Sequence, residues 1–289
     1  MFRIAILGCE NTHAAGFLNA MKEEGIDDVE VVGVYSHQRE AAEALNEKFG
    51  VKVLDNYDDA VGKVDGLIVT ARHGDRHFMY AKPYISSGIP MFIDKPITIS
   101  EDEADEFRAL LRDNGCRVTG GSMCIYADYI SELKAMRDSG ECGAIMGGCV
   151  RAPLMSGSEH GGFYFYSHHL VHVMCEIFGY YPNSVIANRH GNAVNITFKF
   201  DGYEINGVYA DNESSNNIYF AGVIFEKKVL GENYSVANCA SRELHTYLDL
   251  LRGGEMKQTY EDVFAPVYIL AAIDRAMQSG KEEQVRRAR

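Results

Sequence analysis

Over its first 120 residues the chain alternates short apolar, β-branched runs with amphipathic helical stretches. That grammar leaves few folds open besides a parallel sheet joined by crossover helices. The apolar runs are Ile4 to Leu7, Val29 to Tyr35, Val64 to Thr70, Met91 to Ile93 and Cys116 to Thr119. Between them, residues 14 to 24, Arg39 to Phe49, Phe78 to Ser87 and Ser100 to Asn114 read as helices. The last of these opens on Ser100 with Glu103 three residues on, the spacing of a capping box. Glu101 and Asp102 then stand where the helix dipole favours negative charge, and Gly115 follows the end. Strands this uniformly apolar belong in a sheet covered on both faces.

After residue 121 the pattern changes. A helix over Asp128 to Arg137 leads to a strand around Ile145 to Arg151, a Gly/Ser/Met loop and a His-rich helical stretch ending at Phe178. From Ser184 to Val236 the signals are mostly strands, with Asp201-Gly202 as a hairpin turn. Leu244 to Leu251 and Val263 to Met277 return to helix. The sequence predicts two domains, 1–121 with a doubly wound parallel sheet and 122–289 with an α+β fold on a mostly antiparallel open sheet. Two domains also suit 289 residues.

Charge narrows the partners. Lys plus Arg number 28 and Asp plus Glu 41, for a net charge of −13. Such a surface repels phosphate backbones and anionic lipid, so neither nucleic acid nor a membrane surface is expected as a partner. The one basic cluster, Arg286, Arg287 and Arg289, reads as a frayed terminus. The seven cysteines are scattered and odd in number, with no C-x-x-C pair, which fits reduced thiols and a cytoplasmic location. The opening residues read as a strand and not as a signal peptide, and no stretch approaches the ~20 apolar residues of a spanning helix.

A strand, a turn and a helix at the start of a parallel α/β domain form the usual seat of a dinucleotide, whose pyrophosphate meets the helix N-terminus. Here the turn reads Gly8-Cys9-Glu10-Asn11-Thr12-His13, with only the first glycine of the G-x-G-x-x-G pattern. Glu10 sets a negative charge where backbone normally approaches phosphate. A degenerate or different ligand site is the competing reading. His13 is placed either to donate to a phosphate or to make an ordinary capping contact. At the end of the second strand, Tyr35-Ser36-His37-Gln38-Arg39 has no carboxylate to bind ribose hydroxyls. Ser36, His37 and Arg39 could instead hold a 2′-phosphate, which sets NADP slightly ahead of NAD. The plainer reading has Ser36 capping the next helix and Arg39 in solvent.

Ile93-Asp94-Lys95-Pro96-Ile97-Thr98 is the sharpest local signal. It puts a lysine and an acid at the carboxyl end of a parallel strand, the end that faces the ligand crevice. A partly buried lysine can move a proton to or from a hydroxyl or carbonyl. With this segment the chain resembles the Gfo/Idh/MocA oxidoreductases, which carry Glu-Lys-Pro here. The upstream segment from Asp65 through Thr70 to His77 matches the family's apolar strand, loop and closing Asn or His. Tyr260-Glu261-Asp262-Val263 and Ser279-Gly280-Lys281 match its C-terminal pattern.

The resemblance implies a Rossmann-type first domain, NAD or NADP as cofactor, and a small sugar or polyol substrate. It implies cofactor contacts at Gly8, Glu10, Asn11, Thr12, His13, Ser36, His37, Arg39, Thr70, Ala71, His77 and Lys95. In the second domain, Gly161-Gly162 through Phe178-Gly179 matches the family's Gly-Gly and following histidine. Counting back from Gly179 sets His169 on that histidine, Phe165 on the family's Asp and His172 on its next acid. A shifted register sets His168 and His172 on the Asp and His positions instead. Lys95, oriented by Asp94, and His169 are the expected catalytic residues. Lys95, Tyr164, Tyr166, His168, His169 and His172 are the expected substrate residues.

Two other readings of the histidines stand beside this one. His168, His169 and His172, with Glu176 four residues further on, could serve a metal-dependent lyase or hydrolase. A family member with weakened cofactor binding would be a small-molecule binding or regulatory protein. No metal is expected. A homodimer or homotetramer is, because the Ser184–Val236 sheet leaves one broad face uncovered and the family commonly pairs such faces.

Overall fold

The computed structural model describes residues 1–211 and 218–287. Of the terminal arginines, Arg289 lies outside them. By packing, the chain forms two units, Met1–Gly121 with Ala240–Val263, and Ser122–Cys239 with the chain from Phe264 onward.

In the first unit β1 (Phe2–Leu7), α1 (Thr12–Glu23), β2 (Val29–Tyr35), α2 (Arg39–Phe49), β3 (Gly66–Val69), α3 (His77–Ile85), β4 (Met91–Asp94), α4 (Glu101–Asp113) and β5 (Val118–Gly121) follow one another. The sheet order is β2-β1-β3-β4-β5, and every pair is parallel. β3, β4 and β5 are buried at every residue, as strands covered on both faces are. Ser100 caps α4 by accepting the Glu103 N–H. The strand order reverses beside β1, and there the carboxyl ends of β1 and β3 open the crevice in which such sheets bind ligands.

The second unit begins with α5 (Asp128–Ser139), β6 (Ile145–Leu154), α6 (Phe163–Phe178), β7 (Ser184–His190), β8 (Ala193–Lys199), β9 (Glu204–Asp211), β10 (Tyr219–Phe225) and β11 (Val229–Tyr234). The chain then runs through α7 (Cys239–Leu251), α8 (Tyr260–Ser279) and β12 (Glu283–Gln284). Its seven-stranded sheet has the order β11-β10-β6-β9-β8-β7-β12. All pairs are antiparallel except β6 with β9. In β8, Val194, Ile196 and Phe198 alternate with more exposed residues, so one face is core and the other is not. α6 packs over β6 and β9. It is buried at every residue from Ser167 to Phe178, so it reads as a core helix and not an amphipathic one.

The packing moves one segment. Residues 240–263 fall in 122–289 by sequence grammar, yet they pack with the first unit. Leu244, Tyr247, Leu248 and Leu251 repeat at i, i+3, i+4 and i+7 and enter the cluster of Ile4, Ile6, Phe17 and Phe92. Full burial of each such side chain is worth ~1.5–3 kcal/mol, far more than any local signal in that stretch. Arg252 adds a two-pronged bond to Asp28 at 2.8 and 2.7 Å. Among the described residues no helix is long and apolar enough to cross a membrane.

Candidate active site

The turn after β1 is built on Gly8. Its φ is +81°, and a Cβ there would stand 2.3 Å from the Ala71 backbone nitrogen. The N–H groups of Gly8 and Cys9 both donate to the Tyr35 carbonyl, at 2.7 and 3.0 Å. Thr70 donates its hydroxyl to the Gly8 carbonyl at 3.2 Å. Thr70 and Ala71 therefore support the turn from behind, both fully buried. Asn11 occupies the N-cap of α1 but makes no side-chain cap bond. Its amide donates to Asp94 Oδ2 at 2.9 Å instead. The first N–H groups of α1 thus receive no acceptor from their cap residue, which suits an anionic group docking from outside. These uncapped N–H groups fit a dinucleotide's phosphates without the later glycines.

Two expectations at the neighbouring strand end are corrected. The Glu10 side chain is not aimed at the phosphate seat. It folds back between the ends of β2 and β3 and is 3% exposed. Oε2 accepts from the Ser36 hydroxyl at 2.7 Å and Oε1 from the Arg72 N–H at 3.1 Å, with His37 Nδ1 3.6 Å from Oε1. A carboxylate leaving water needs donors, and these are the ones the strand ends offer. The Arg39 side chain is 58% exposed, in solvent as the plainer reading has it, and its partners are carboxylates and not a phosphate. It pairs with Glu43 at 3.0 Å and Asp55 at 3.1 Å, two acids placed one helical turn on and in the next loop.

At the end of β4, Asp94 is fully buried and Lys95 is 5% exposed. The peptide between Lys95 and Pro96 is cis. Asp94 Oδ1 accepts the backbone N–H of Lys95 at 2.7 Å. Asp94 Oδ2 takes the Asn11 amide and lies 2.9 Å from His13 Nδ1. Burial pushes the Asp94 carboxyl up, but the charge and hydrogen bond of His13, with Lys95 and His77, outweigh it and hold the carboxyl below its usual range. Burial likewise works against the His13 cation, and Asp94 outweighs that too, so His13 is raised. His13 thus faces a carboxylate and not a phosphate.

His77 is also buried, with Nδ1 2.7 Å from the Pro96 carbonyl and Nε2 2.8 Å from the Ala71 carbonyl. It braces the loops after β3 and β4, with both ring nitrogens turned to carbonyls of the first unit.

Sequence reasoning missed Glu243 on α7. Its side chain is fully buried and neither carboxyl oxygen has a hydrogen-bond partner. Burial raises it to about 8, against the pull of His13 and Lys95. No motif marks it. The signal was an acid one turn before Tyr247, at the head of the apolar face of Leu244 to Leu251.

In the second unit the three histidines are buried and diverge. Ser122 joins two of them. Its N–H donates to His172 Nδ1 at 2.9 Å, and its hydroxyl lies 2.7 Å from His169 Nδ1. Burial lowers His172 to about 4, so its ring is a neutral acceptor. His168 meets His172 ring edge to face at 5.5 Å. Tyr166 stands edge-on to His169 at 4.8 Å, with Tyr219 on the same ring at 6.3 Å. Tyr164 instead donates its hydroxyl to Asp274 at 3.2 Å. Ser122 was not foreseen, although a Gly-Gly-Ser sequence closing a strand was there to be read. Among the described residues no group of three or more His, Cys, Asp or Glu is arranged to hold a metal ion.

Residues 2–122 match the family described as an oxidoreductase family with an NAD-binding Rossmann fold, Gfo/Idh/MocA. Glucose-6-phosphate 3-dehydrogenase of Bacillus subtilis is 28% identical over 146 residues, which are 50% of this chain and 41% of that protein. The match thus spans about two fifths of that relative's length. Among solved structures, myo-inositol 2-dehydrogenase from Lactobacillus plantarum superposes with a TM-score of 0.86 at 15% identity, over 99% of both chains. Scyllo-inositol dehydrogenase from Lactobacillus casei, solved with NAD(H) and scyllo-inositol, gives 0.85 at 15%, over 99% of this chain and 98% of that one. At such identity the structural likeness is one of fold.

Proposed function

We propose, from the match of residues 2–122 to the Gfo/Idh/MocA oxidoreductase family, that the protein is an NAD(P)-dependent oxidoreductase acting on a secondary alcohol of a sugar, inositol or related polyol. One observation carries the reading. A nearly buried lysine stands at the carboxyl end of β4, and the acid before it holds its backbone in place.

The dinucleotide, when bound, supplies the hydride acceptor. The chain supplies the rest. Gly8 and the start of α1 seat the phosphates. Asp94 fixes both that start, through Asn11 and His13, and the backbone of Lys95. Lys95 takes the hydroxyl proton as the alcohol is oxidised and returns it in the reverse direction. His169, backed by Ser122 and flanked by Tyr166, is the second unit's candidate acid–base group. His168, His172 and Tyr164 play no direct part in this chemistry.

The substrate class rests on what the relatives act on. Myo-inositol, scyllo-inositol and glucose 6-phosphate therefore head the panel to be assayed with NAD and NADP, following nicotinamide absorbance. Turnover of at least one polyol, lost in Lys95→Ala, is the expected result. No turnover across a broad polyol and sugar panel overturns the reading. The free cysteines support a reducing, cytoplasmic setting. The exposed pair Ile224 and Val229, adjacent across β10 and β11, supports a homo-oligomer built on that sheet, which light scattering at micromolar concentration checks.

A further inference from the structure

A 2′-phosphate on the adenosine ribose is recognised by donors and positive charge at the end of β2, and a free 2′-hydroxyl by a carboxylate there. No residue at the end of β2 itself is acidic, which taken alone points to NADP. The geometry reverses that conclusion. The Ser36 hydroxyl and the Arg72 N–H, both suited to a phosphate, already donate to Glu10. The His37 ring lies 3.6 Å from the same carboxylate. Arg39, the nearest guanidinium on the chain after β2, is divided between Glu43 and Asp55.

An incoming phosphate would find the Ser36 and Arg72 donors occupied by a buried carboxylate, with Arg39 shared between two exposed acids. The ribose of NAD carries no charge and asks for no such donors. We infer that Glu10 is the residue that selects NAD over NADP, a carboxylate delivered to the end of β2 from the turn after β1. Glu10 stands two residues after Gly8, in the turn whose backbone closes on Ala71 at a φ of +81°, and its side chain accepts from Ser36. The inference rests on the oxidoreductase reading and adds the choice of cofactor to it.

Dissociation constants for NADH and NADPH, read by nicotinamide fluorescence, test it on the wild-type protein, Glu10→Gln and Glu10→Ala. The glutamine keeps the shape and an acceptor oxygen and removes the charge. Melting curves identify any variant that has lost its fold. The wild type is expected to bind NADH at least about tenfold tighter than NADPH. In Glu10→Gln, NADPH should tighten about tenfold while NADH stays within about threefold. Glu10→Ala should shift in the same direction. Equal affinities in the wild type overturn the inference and leave the oxidoreductase reading standing. So does equal tightening of both dinucleotides in Glu10→Gln, which would mean that Glu10 acts on the shared pyrophosphate. Binding of neither dinucleotide to any of the three folded proteins overturns the oxidoreductase reading, and the inference with it.

Discussion

His13 and Asp94 meet at 2.9 Å in the first unit, with side chains 13% and 0% exposed. One residue opens the helix that follows the phosphate turn, and the other ends the strand that presents Lys95. Asp94 also takes the amide of Asn11 and the N–H of Lys95. A single buried carboxylate therefore fixes both the start of α1 and the backbone of Lys95. On the proposed function, cofactor affinity and rate are then tied through Asp94.

Lys95 and Asp94 should consequently fail in different ways. Lys95→Ala removes the proton-transferring group and should cut kcat by ~10²–10⁴ while dinucleotide affinity holds, with a lower melting temperature because a nearly buried cation facing Asp94 is lost. Asp94→Asn removes a charge from a buried pair, at a stability cost of about 3–5 kcal/mol. It should also weaken dinucleotide binding, because Asn11 and His13 lose their anchor. Fluorescence titration, steady-state kinetics and thermal melts separate the two. A Lys95→Ala enzyme within threefold of wild-type turnover removes the lysine from the mechanism.

Glu243 gives the first unit a pH dependence of definite sign. Burial raises its carboxyl to about 8 from an ordinary 4.5. The folded protein therefore holds a proton that the unfolded chain releases. Its contribution to stability is complete below about 4.5 and is lost as pH rises toward about 8, at ~1.4 kcal/mol per pH unit within that window. Glu243→Gln keeps the neutral shape and removes the titration. Its melting temperature should equal the wild type's under acid conditions and exceed it increasingly toward alkaline pH. A constant difference across the range would show that Glu243 does not titrate in the fold.

The parallel sheet was legible because strands buried on both faces leave an unmistakable apolar alternation with helices, and Ser100 with Glu103 marks a helix start by chemistry alone. Lys95 was legible because strand ends in such sheets face the ligand. What could not be read was side-chain direction. The string Gly8 to His13 shows Glu10 beside the phosphate seat, but only the φ of Gly8 and the Ser36 and Arg72 donors decide that it turns away. Arg39 looks available until Asp55, sixteen residues on, closes on it. Glu243 and the return of α7 to the first unit are contacts of long sequence separation, which no local period records.

Ser122 and His172 carry a prediction for the second unit. His172 Nδ1 accepts the Ser122 N–H, and burial lowers the ring to about 4 from 6.5. The folded state thus binds fewer protons than the unfolded one between those values. This contribution to stability is present above about 6.5 and is lost as pH falls toward about 4. Imidazole nitrogen NMR should show His172 as a neutral ring protonated on Nε2, unchanged from neutral pH down to about pH 5. A titration midpoint near 6.5 would mean that the Ser122 contact is not kept in solution.

Two glycines of the first helical crossover separate turn geometry from mere flexibility. Gly8 has a φ of +81°, and a Cβ there would stand 2.3 Å from the Ala71 nitrogen and 2.4 Å from its Cα. The backbone opposite cannot step aside. Ala71 gives its carbonyl to His77, and Thr70 is bonded to Leu7 and Gly8. A left-handed conformation alone costs a non-glycine residue ~1–2 kcal/mol, and the contact adds to it. Gly16 lies within α1 at an ordinary φ, and a Cβ there meets nothing within 4 Å. Gly16→Ala should therefore stabilise by ~0.5–1 kcal/mol through helix propensity, with dinucleotide affinity unchanged. Gly8→Ala should lower the melting temperature and lose most dinucleotide binding, because the turn must be rebuilt to admit one methyl group. Equal melting temperatures for the two variants would show that the turn is not locked against β3, and that the seat for the phosphates is less defined than its hydrogen bonds indicate.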